Sequence, residues 1–310
     1  MKRFKHLGSF CYVSLIALLL LSGYLDIDSL LSTAHSNTFF APASRSGSKS
    51  SSIYEAAGQT LSSTATNASG QTSALTTDDS LLSNYRDSFP ELYAWEDEAV
   101  EVFSEPQKTV YLTFDDGPSK NTGKILDILE NYEAKATFFV IGKDLSEEGI
   151  ENLKRAAKEG HAIGLHTYSH DYNKIYSSVS DFLADYDKLR QELEELLGFS
   201  PTIFRFPGGS YCSYGKSIRT ELIEEMTRRG YTYYDWNVSA EDAVGTVTAY
   251  SIRKNIFPKV YKVNSPVILM HDAPLNNLTA ELLPEIIETL QAEGYSFETL
   301  ETREALHFGE

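Results

Sequence analysis

Short apolar runs alternate with amphipathic stretches beyond Pro106. The runs are four to six residues long and rich in β-branched and aromatic residues, as strands are. They lie at 109–113, 136–141, 162–165, 202–206, 231–236, 267–270 and 295–299. The stretches between them, which have helical periodicity, lie at 122–132, 147–158, 179–197, 218–229, 248–260 and 279–293. Six strand–helix repeats that end in a last strand predict parallel pairing with helices outside, hence an α/β sheet or barrel.

The start of the chain does not share this alternation. Lys2, Arg3 and Lys5 precede an almost uncharged run at 7–25, which is the order of charge and apolar residues in a secretory signal. The run is also close in length to the roughly 20 apolar residues that span a bilayer, so a cleaved signal and an uncleaved anchor are both open. We expect 1–35 to be a signal peptide or membrane anchor. The positive charges ahead of the run predict an external location for the rest of the chain.

A polar segment follows the apolar run. Of the 40 residues at 41–80, 17 are Ser or Thr, and the only large aliphatic residues are Ile53, Leu61 and Leu75. Such a segment buries too little apolar surface to offset the entropy cost of ordering it, which predicts a flexible tether. We therefore assign 36–105 to a Ser/Thr-rich linker that ends in an acidic lead-in, either packed on the domain or part of the linker. One globular domain remains, at 106–310.

The charge balance excludes one class of partner. The chain has 27 basic and 44 acidic residues, a formal charge of −17. Six basic and twelve acidic residues fall in the first 105 positions. The remainder therefore has 21 basic and 32 acidic residues and a formal charge of −11. Nucleic acid is not expected to bind, because binding depends on neutralising phosphates with Lys and Arg. The two cysteines, Cys11 and Cys212, cannot form a disulfide framework.

Charged residues cluster where the predicted strands end, which is where βα barrels place their working residues. Asp115 and Asp116 follow the first strand, and His166 and His170 follow the third. Two imidazoles four residues apart on a helical turn or tight loop suit one metal ion, although the spacing alone also occurs in surface or capping roles. Two His and one Asp leave an open coordination position for water, as hydrolytic zinc sites require. The second aspartate is then free to take a proton.

Four short motifs resemble those of one protein family and occur in the same order as in that family. They read TFDDGP at 113–118, HTYSH at 166–170, RFPGG at 205–209 and LMHD at 269–272. They are similar to the successive motifs of the polysaccharide deacetylases, the NodB-like carbohydrate esterase family 4, and in particular of bacterial peptidoglycan N-acetylglucosamine deacetylases. The resemblance covers about 106–300. It implies a distorted (β/α) barrel with about seven parallel strands, here preceded by the apolar N-terminal segment and the flexible linker.

The same resemblance implies a metal site and a base. Asp116, His166 and His170 would hold a divalent metal ion, usually zinc. Asp115 would be the catalytic base that deprotonates the attacking water. Arg205 would orient the carboxylate of Asp115. An acetamide is a poor electrophile, so its carbonyl needs a Lewis acid, which is consistent with a metal in this role.

The resemblance also implies a general acid. His271 would protonate the leaving amine, and Asp242 would pair with it. Such a pair raises the pKa of an imidazole and keeps it charged near neutral pH. Leu269 would line the pocket for the acetyl methyl group.

Two departures from the family pattern concern the acceptor sugar. Gly208 and Gly209 stand where an aromatic residue commonly follows the proline of the third motif, and Ala243 stands where a tryptophan is common in the fourth. The backbone N–H of Gly208 or Gly209 is still expected to stabilise the oxyanion. Trp236 or Tyr211 is expected to compensate for the missing tryptophan as a substrate contact.

The expected activity is metal-dependent hydrolysis of N-acetyl groups from an extracellular polysaccharide, with release of acetate. Peptidoglycan N-acetylglucosamine is the favoured substrate, and the alternatives are chitin-type oligomers, an exopolysaccharide or O-acetylated xylan. An inactive glycan-binding module is the alternative from another class. We expect a monomeric catalytic domain outside the cytoplasm, anchored in the membrane or secreted to the cell wall. Contact with the membrane would occur only through an uncleaved N-terminal segment.

Overall fold

A computed structural model describes residue 85 and residues 87–94, 108–143 and 145–308. The predicted signal peptide or anchor at 1–35 and most of the predicted linker lie outside these residues. None of the helices in the described ranges has the length and apolar character needed to cross a bilayer.

The described residues form one sheet of eight strands. These are β1 (Thr109–Gly117), β2 (Ala136–Ile141), β3 (Ala162–Thr167), β4 (Ile203–Phe204), β5 (Thr232–Tyr233), β6 (Val238–Ser239), β7 (Val267–His271) and β8 (Ser296–Phe297). The strand order is β5-β4-β3-β2-β1-β7-β6, and β8 pairs with the start of β1. Every pair is parallel, which places the carboxyl ends of the strands at one edge. This confirms the predicted α/β class and the distorted barrel of parallel strands.

Seven α-helices in the described residues connect the strands. They are α1 (Thr122–Asn131), α2 (Glu147–Lys158), α3 (Tyr172–Ile175), α4 (Val179–Leu197), α5 (Arg219–Arg228), α6 (Ala249–Val260) and α7 (Asn277–Ala292). Local sequence explains several helix ends. The hydroxyls of Ser146, Ser178 and Thr248 accept hydrogen bonds from the first turns of α2, α4 and α6, and Gly198 ends α4 in the left-handed conformation.

Strand alternation divides the core into two parts. Val110, Leu112 and Phe114 of β1 belong to the larger cluster, which also contains the buried side chains of the helices. Tyr111 belongs to a smaller cluster made mainly of side chains from strands. Because successive side chains of a strand point to opposite faces, Tyr111 and Asp115 share a face of β1. The strand thus carries Asp115 on the face of the smaller cluster, at its carboxyl end.

The barrel is open between β5 and β6, which end the strand order. The C-terminal segment lies along this opening. The backbone N–H of Asp235 donates to the carbonyl of Leu306 at 2.8 Å, and the hydroxyl of Tyr234 donates to the carbonyl of Arg303 at 3.0 Å. The segment therefore occupies part of the position that a strand next to β5 would have.

Some predicted boundaries were wrong. The predicted strands at 202–206 and 231–236 contain only the two-residue ladders of β4 and β5. Pro207 has no N–H to donate to a ladder, and the N–H of Asp235 is used by the C-terminal segment. β6 and α3 were not predicted, because two and four residues are too short for a periodic signal. β1 continues through Gly117 instead of ending at Thr113.

Part of the predicted linker and lead-in packs on the domain. Leu92 is fully buried in the larger core cluster. The buried guanidinium of Arg229 donates to the carbonyls of Tyr85, Ser88, Phe89 and Leu92 at 2.8–3.0 Å. The residues described between 85 and 94 are therefore held to the end of α5.

Candidate active site

Asp115 is fixed by a buried arginine. Its Oδ1 accepts a hydrogen bond from Nη1 of Arg205 at 2.8 Å, and the same nitrogen donates to the hydroxyl of Thr113 at 2.7 Å. Nε and Nη2 of Arg205 donate to the carbonyls of Tyr234 and Asp235 at 2.9 and 3.1 Å. Arg205 is fully buried and Asp115 is 3% exposed. The geometry agrees with the predicted orienting contact, and charge-assisted hydrogen bonds of this kind are strong.

Asp116, His166 and His170 converge on one point. Their ligand atoms lie within 4.8 Å of one another. Oδ1 of Asp116 is 3.5 Å from Nε2 of His166 and 3.2 Å from Nε2 of His170. This oxygen is buried and has no hydrogen-bond partner among the described residues. Nδ1 of His166 lies 2.8 Å from the carbonyl of Arg205, which fixes the ring, and burial lowers the pKa of His166 and favours its neutral form. One carboxylate and two imidazoles fit the ligand preferences of a divalent metal ion.

A buried carboxylate on α4 shapes the turn between these histidines. Oδ1 of Asp185 accepts hydrogen bonds from the hydroxyl of Thr167 at 2.8 Å and from the N–H groups of Tyr168 and Ser169 at 2.6 and 3.1 Å. The hydroxyl of Thr167 also accepts from the N–H of His170 at 2.9 Å. His170 has a φ of 50°, which a non-glycine residue adopts only where its surroundings hold it. Asp185 was not among the predicted site residues, although an acid within the apolar stripe of a helix was a usable signal.

His271 at the end of β7 forms the predicted pair with Asp242. Nδ1 of His271 lies 2.7 Å from Oδ1 of Asp242, and its backbone N–H donates to Oδ2 at 2.9 Å. The hydroxyl of Thr279 also donates to Oδ2 at 2.7 Å, and Asn276 donates to the carbonyl of Asp242 at 2.8 Å. Burial lowers the pKa of His271, but the hydrogen bond and the charge of Asp242 outweigh it and raise that pKa to about 9. The imidazole is therefore protonated at neutral pH.

Asp272 fixes the loop that follows β1. Its carboxylate accepts hydrogen bonds from the hydroxyls of Ser119 and Thr122 at 2.8 and 2.5 Å, and its N–H donates to the carbonyl of Asp115 at 2.7 Å. A Cβ at Gly117 would lie 2.5 Å from Oδ2 of Asp272, so this close approach requires glycine. Burial raises the pKa of Asp272 to about 6. Asp272 belongs to the LMHD motif, but no function was predicted for it.

The site opens into a cavity of about 400 Å³. Its lining residues come from loops and strand ends at one edge of the sheet: Asp115, Asp116, His166, His170, Tyr172, Gly208, Trp236, Ser239, Glu241, Ala243, Val244, Leu269 and His271. Most of the predicted site residues are thus brought together, and Arg205 and Asp242 lie behind them. The exception is Gly209 as an oxyanion donor. Its N–H donates to the carbonyl of Phe206 at 2.8 Å and closes a turn, so Gly208 is the remaining candidate.

Comparison with known proteins places these residues in a family. Residues 104–234 match the family model for polysaccharide deacetylase. A peptidoglycan-N-acetylglucosamine deacetylase of Bacillus cereus is 32% identical over 207 residues, which are 65% of this chain and 72% of the relative. The catalytic domain of a peptidoglycan N-acetylglucosamine deacetylase from Eubacterium rectale superposes with a TM-score of 0.62 at 35% identity, over 67% of this chain and 96% of that one.

A third protein extends the comparison to ester substrates. A family 4 acetyl xylan esterase from Clostridium thermocellum, solved with a cobalt ion, superposes with a TM-score of 0.54 at 28% identity. The aligned parts are 63% of this chain and 89% of the esterase. Fold, motif order and sequence identity agree with one another. The chain therefore belongs to the polysaccharide deacetylase family, within the family 4 carbohydrate esterases.

Proposed function

We propose that this protein is a metal-dependent, extracytoplasmic deacetylase that removes N-acetyl groups from peptidoglycan N-acetylglucosamine and releases acetate. One observation carries the proposal: a carboxylate bound by an arginine, an imidazole bound by a carboxylate, and a His–His–Asp cluster all face one open cavity. Amide hydrolysis needs a group that activates water and a group that protonates the departing nitrogen.

Asp115 is proposed as the base. The hydrogen bond from Arg205 occupies Oδ1 of Asp115, so Oδ2 is the oxygen left to take a proton from water. The guanidinium also fixes the direction of the carboxylate, which keeps its position constant from one turnover to the next. Gly208 lines the cavity and is proposed to direct its backbone N–H at the oxyanion.

His271 is proposed as the acid. Asp242 holds Nδ1, which leaves Nε2 as the nitrogen that delivers a proton to the leaving amine. Leu269 lines the same cavity, is 6% exposed, and is proposed to contact the acetyl methyl group. Trp236 is proposed to contact the sugar, because its ring also lines the cavity.

Asp116, His166 and His170 are proposed to hold a divalent metal ion, zinc in the first instance. When bound, the ion would supply a Lewis acid that polarises the acetyl carbonyl and lowers the pKa of water. The related esterase solved with cobalt supports a metal in this family of sites. The unpartnered, buried Oδ1 of Asp116 supports the same assignment from the structure.

The proposed location rests on the sequence. The basic residues and apolar run at the N-terminus favour export, and peptidoglycan lies outside the membrane. The similarity to peptidoglycan-N-acetylglucosamine deacetylases favours an N-acetylated glycan as the partner. We propose a monomeric catalytic domain that reaches its substrate from an anchor or after secretion.

Mass spectrometry of treated glycans tests the proposal. Purified peptidoglycan fragments, chitin oligomers and acetylated xylan would each be incubated with the protein and Zn²⁺. We expect loss of acetyl groups from the glucosamine residues of peptidoglycan, and no loss with the His170→Ala variant. Deacetylation of xylan alone would show that the substrate is acetylated xylan and not peptidoglycan. Binding of glycans without acetate release would indicate an inactive glycan-binding module.

A further inference from the structure

The loop that follows β4 presents one backbone N–H to the cavity. Pro207 has no N–H, and the N–H groups of Gly209 and Ser210 each donate to an acceptor within the protein at 2.8 Å. The N–H of Gly208 has no hydrogen-bond partner among the described residues, and Gly208 lines the cavity. Stabilisation of an oxyanion by this loop therefore depends on the direction in which the Gly208 N–H points.

Residues 206–209 form a β-turn whose central peptide can face either of two ways. The N–H of Gly209 donates to the carbonyl of Phe206, which closes the turn, and Gly208 has a φ of 75°. A proline at the second position with a positive φ at the third is a type II turn. A type I turn closes with the same hydrogen bond, but its central peptide is turned to the opposite side. Because glycine accepts both signs of φ, the residue at position 208 does not by itself decide between the two turns.

A buried tyrosine hydroxyl holds the central peptide in one of these directions. The hydroxyl of Tyr176, which directly follows α3, donates to the carbonyl of Pro207 at 2.8 Å. Tyr176 is 7% exposed, and its ring centre lies 6.0 Å from that of Phe182 in the larger core cluster. Burial raises the pKa of Tyr176, so its hydroxyl stays protonated and remains a donor.

The bond to the carbonyl also sets the direction of the N–H in the same peptide. The Pro207–Gly208 peptide bond is trans. In a trans peptide the carbonyl and the N–H point in opposite directions. A Pro207 carbonyl that faces Tyr176 in the core therefore leaves the Gly208 N–H on the side away from the core.

We infer that Tyr176 is a positioning residue for hydrolysis, because its hydroxyl fixes the turn in which the Gly208 N–H points at the oxyanion. This inference rests on the proposed function, in which Gly208 supplies that N–H. A donor that is oriented before the substrate binds stabilises the developing charge without a reorganisation cost. Without the hydroxyl, the buried carbonyl of Pro207 loses its partner, which favours the turned-over peptide. That peptide would direct a carbonyl oxygen at the oxyanion and repel it.

The variant Tyr176→Phe tests this inference in the full-length protein, because it keeps the ring and removes only the hydroxyl. On N-acetylglucosamine oligomers with Zn²⁺, we expect kcat to fall by about 10- to 100-fold and KM to change by less than about twofold. Tyr231→Phe is the matched control, since Tyr231 is buried in the same core cluster and its hydroxyl makes no hydrogen bond to the described residues 206–210. Rates are normalised to the folded fraction, measured by circular dichroism.

Nuclear magnetic resonance gives a readout that does not depend on turnover. The Hα of Pro207 lies close to the N–H of Gly208 in a type II turn and farther from it in a type I turn. The nuclear Overhauser effect between these two hydrogens should be strong in the unaltered protein and in Tyr231→Phe, and weaker in Tyr176→Phe.

Three results would overturn the inference. They are a kcat of Tyr176→Phe equal to that of the control, a loss confined to KM, and an unchanged Overhauser effect in Tyr176→Phe. The proposed function fails separately, if the unaltered protein releases no acetate from any glycan. In that case the Overhauser effect alone decides whether Tyr176 controls the turn: a weaker signal in Tyr176→Phe supports that control, and an equal signal rejects it.

Discussion

Two adjacent aspartates at the end of β1 have different surroundings. Asp115 is held by Arg205, whereas Asp116 has a φ of 69° and a buried Oδ1 without a hydrogen-bond partner in the described part of the chain. Adjacent residues of an extended strand point to opposite sides, but the left-handed backbone of Asp116 changes its direction. Two neighbouring carboxylates can therefore serve a proton and a metal ion separately.

The first prediction separates these two functions. Asp115→Asn keeps the shape of the side chain but removes its proton affinity, so we expect a loss in kcat of about 10² to 10⁴ with Zn²⁺ binding retained. Asp116→Asn should instead lose Zn²⁺. Calorimetric titration with Zn²⁺ and acetate-release rates measure the two properties. Loss of Zn²⁺ in Asp115→Asn, with retention in Asp116→Asn, would exchange the two assignments.

The second prediction concerns pH. The folded pKa of His271 is about 9, above its ordinary 6.5, so the protonated acid is present below about pH 9 and is lost as the pH rises through that value. Asp242→Asn removes the carboxylate that raises this pKa. The alkaline limb of the kcat profile should therefore move to lower pH, by about 1 to 3 units.

A second substrate tests whether His271 protonates the leaving group. His271→Ala should be far more damaging on acetamide substrates than on an activated aryl acetate, whose leaving group needs no proton. Equal losses on both substrates would show that His271 positions other groups instead of protonating the leaving nitrogen.

Site residues that lie in short local motifs were predictable from the sequence. The residues that hold them in place were not. Asp116, His166 and His170 stand out because they are polar residues at or just after the ends of apolar strands. Asp272 meets the hydroxyls of Ser119 and Thr122, which lie about 150 positions away in the chain. A contact of that separation leaves no periodic or local pattern in the sequence.

At the scale of elements, α4 determines the shape of the turn between β3 and α3. Asp185 binds two backbone N–H groups and one hydroxyl of that turn. Its other oxygen, Oδ2, is buried and lies 3.6 Å from Nζ of Lys174. The helix therefore holds the second histidine in place from behind the site.

The third prediction is that Asp185→Ala weakens metal binding without touching a ligand. Loss of a residue that orients ligands costs about 10- to 100-fold in metal affinity. We expect that loss in a Zn²⁺ titration, with the far-UV circular dichroism unchanged. Asp187→Ala is the matched control, because Asp187 lies on the same helix and pairs with Arg190 instead. Equal Zn²⁺ affinities in the two variants would contradict the assigned effect.

Long elements were predicted better than short ones. The bounds of α2 and α4 match the prediction, because an amphipathic stripe of 12 or 19 residues and a serine cap fix both ends. The ends of β4 and β5 depend on distant partners, such as the carbonyl of Leu306 that binds Asp235. Strand length at such positions is a tertiary property, so sequence patterns alone overestimated it.

At the scale of the molecule, the packed unit begins well before the first strand. Leu92 is fully buried, and Arg229 donates to four carbonyls between residues 85 and 92, ahead of β1. That segment lies between a Ser/Thr-rich stretch and an acidic one, which explains why it was assigned to the linker and lead-in. The residue that binds it, the buried Arg229 at the end of α5, is remote in the sequence.

The fourth prediction tests this extension by truncation. A chain that begins at residue 95 loses the burial of Leu92 and the carbonyl partners of Arg229, whereas one that begins at residue 81 keeps them. We expect the free energy of unfolding to fall by about 2 to 5 kcal/mol in the shorter chain. Urea denaturation monitored by fluorescence measures the difference. Equal midpoints and slopes would show that the segment adds no stability.

The C-terminal segment that crosses the opening of the barrel has a practical consequence. The N–H of Phe308 donates to Asp235 at 2.9 Å, and its ring packs on Trp236 beside the cavity. A bulky group attached to the chain directly after Phe308 would therefore lie beside the cleft and compete with a long glycan for space. Tags for enzymology belong at the other end of the domain.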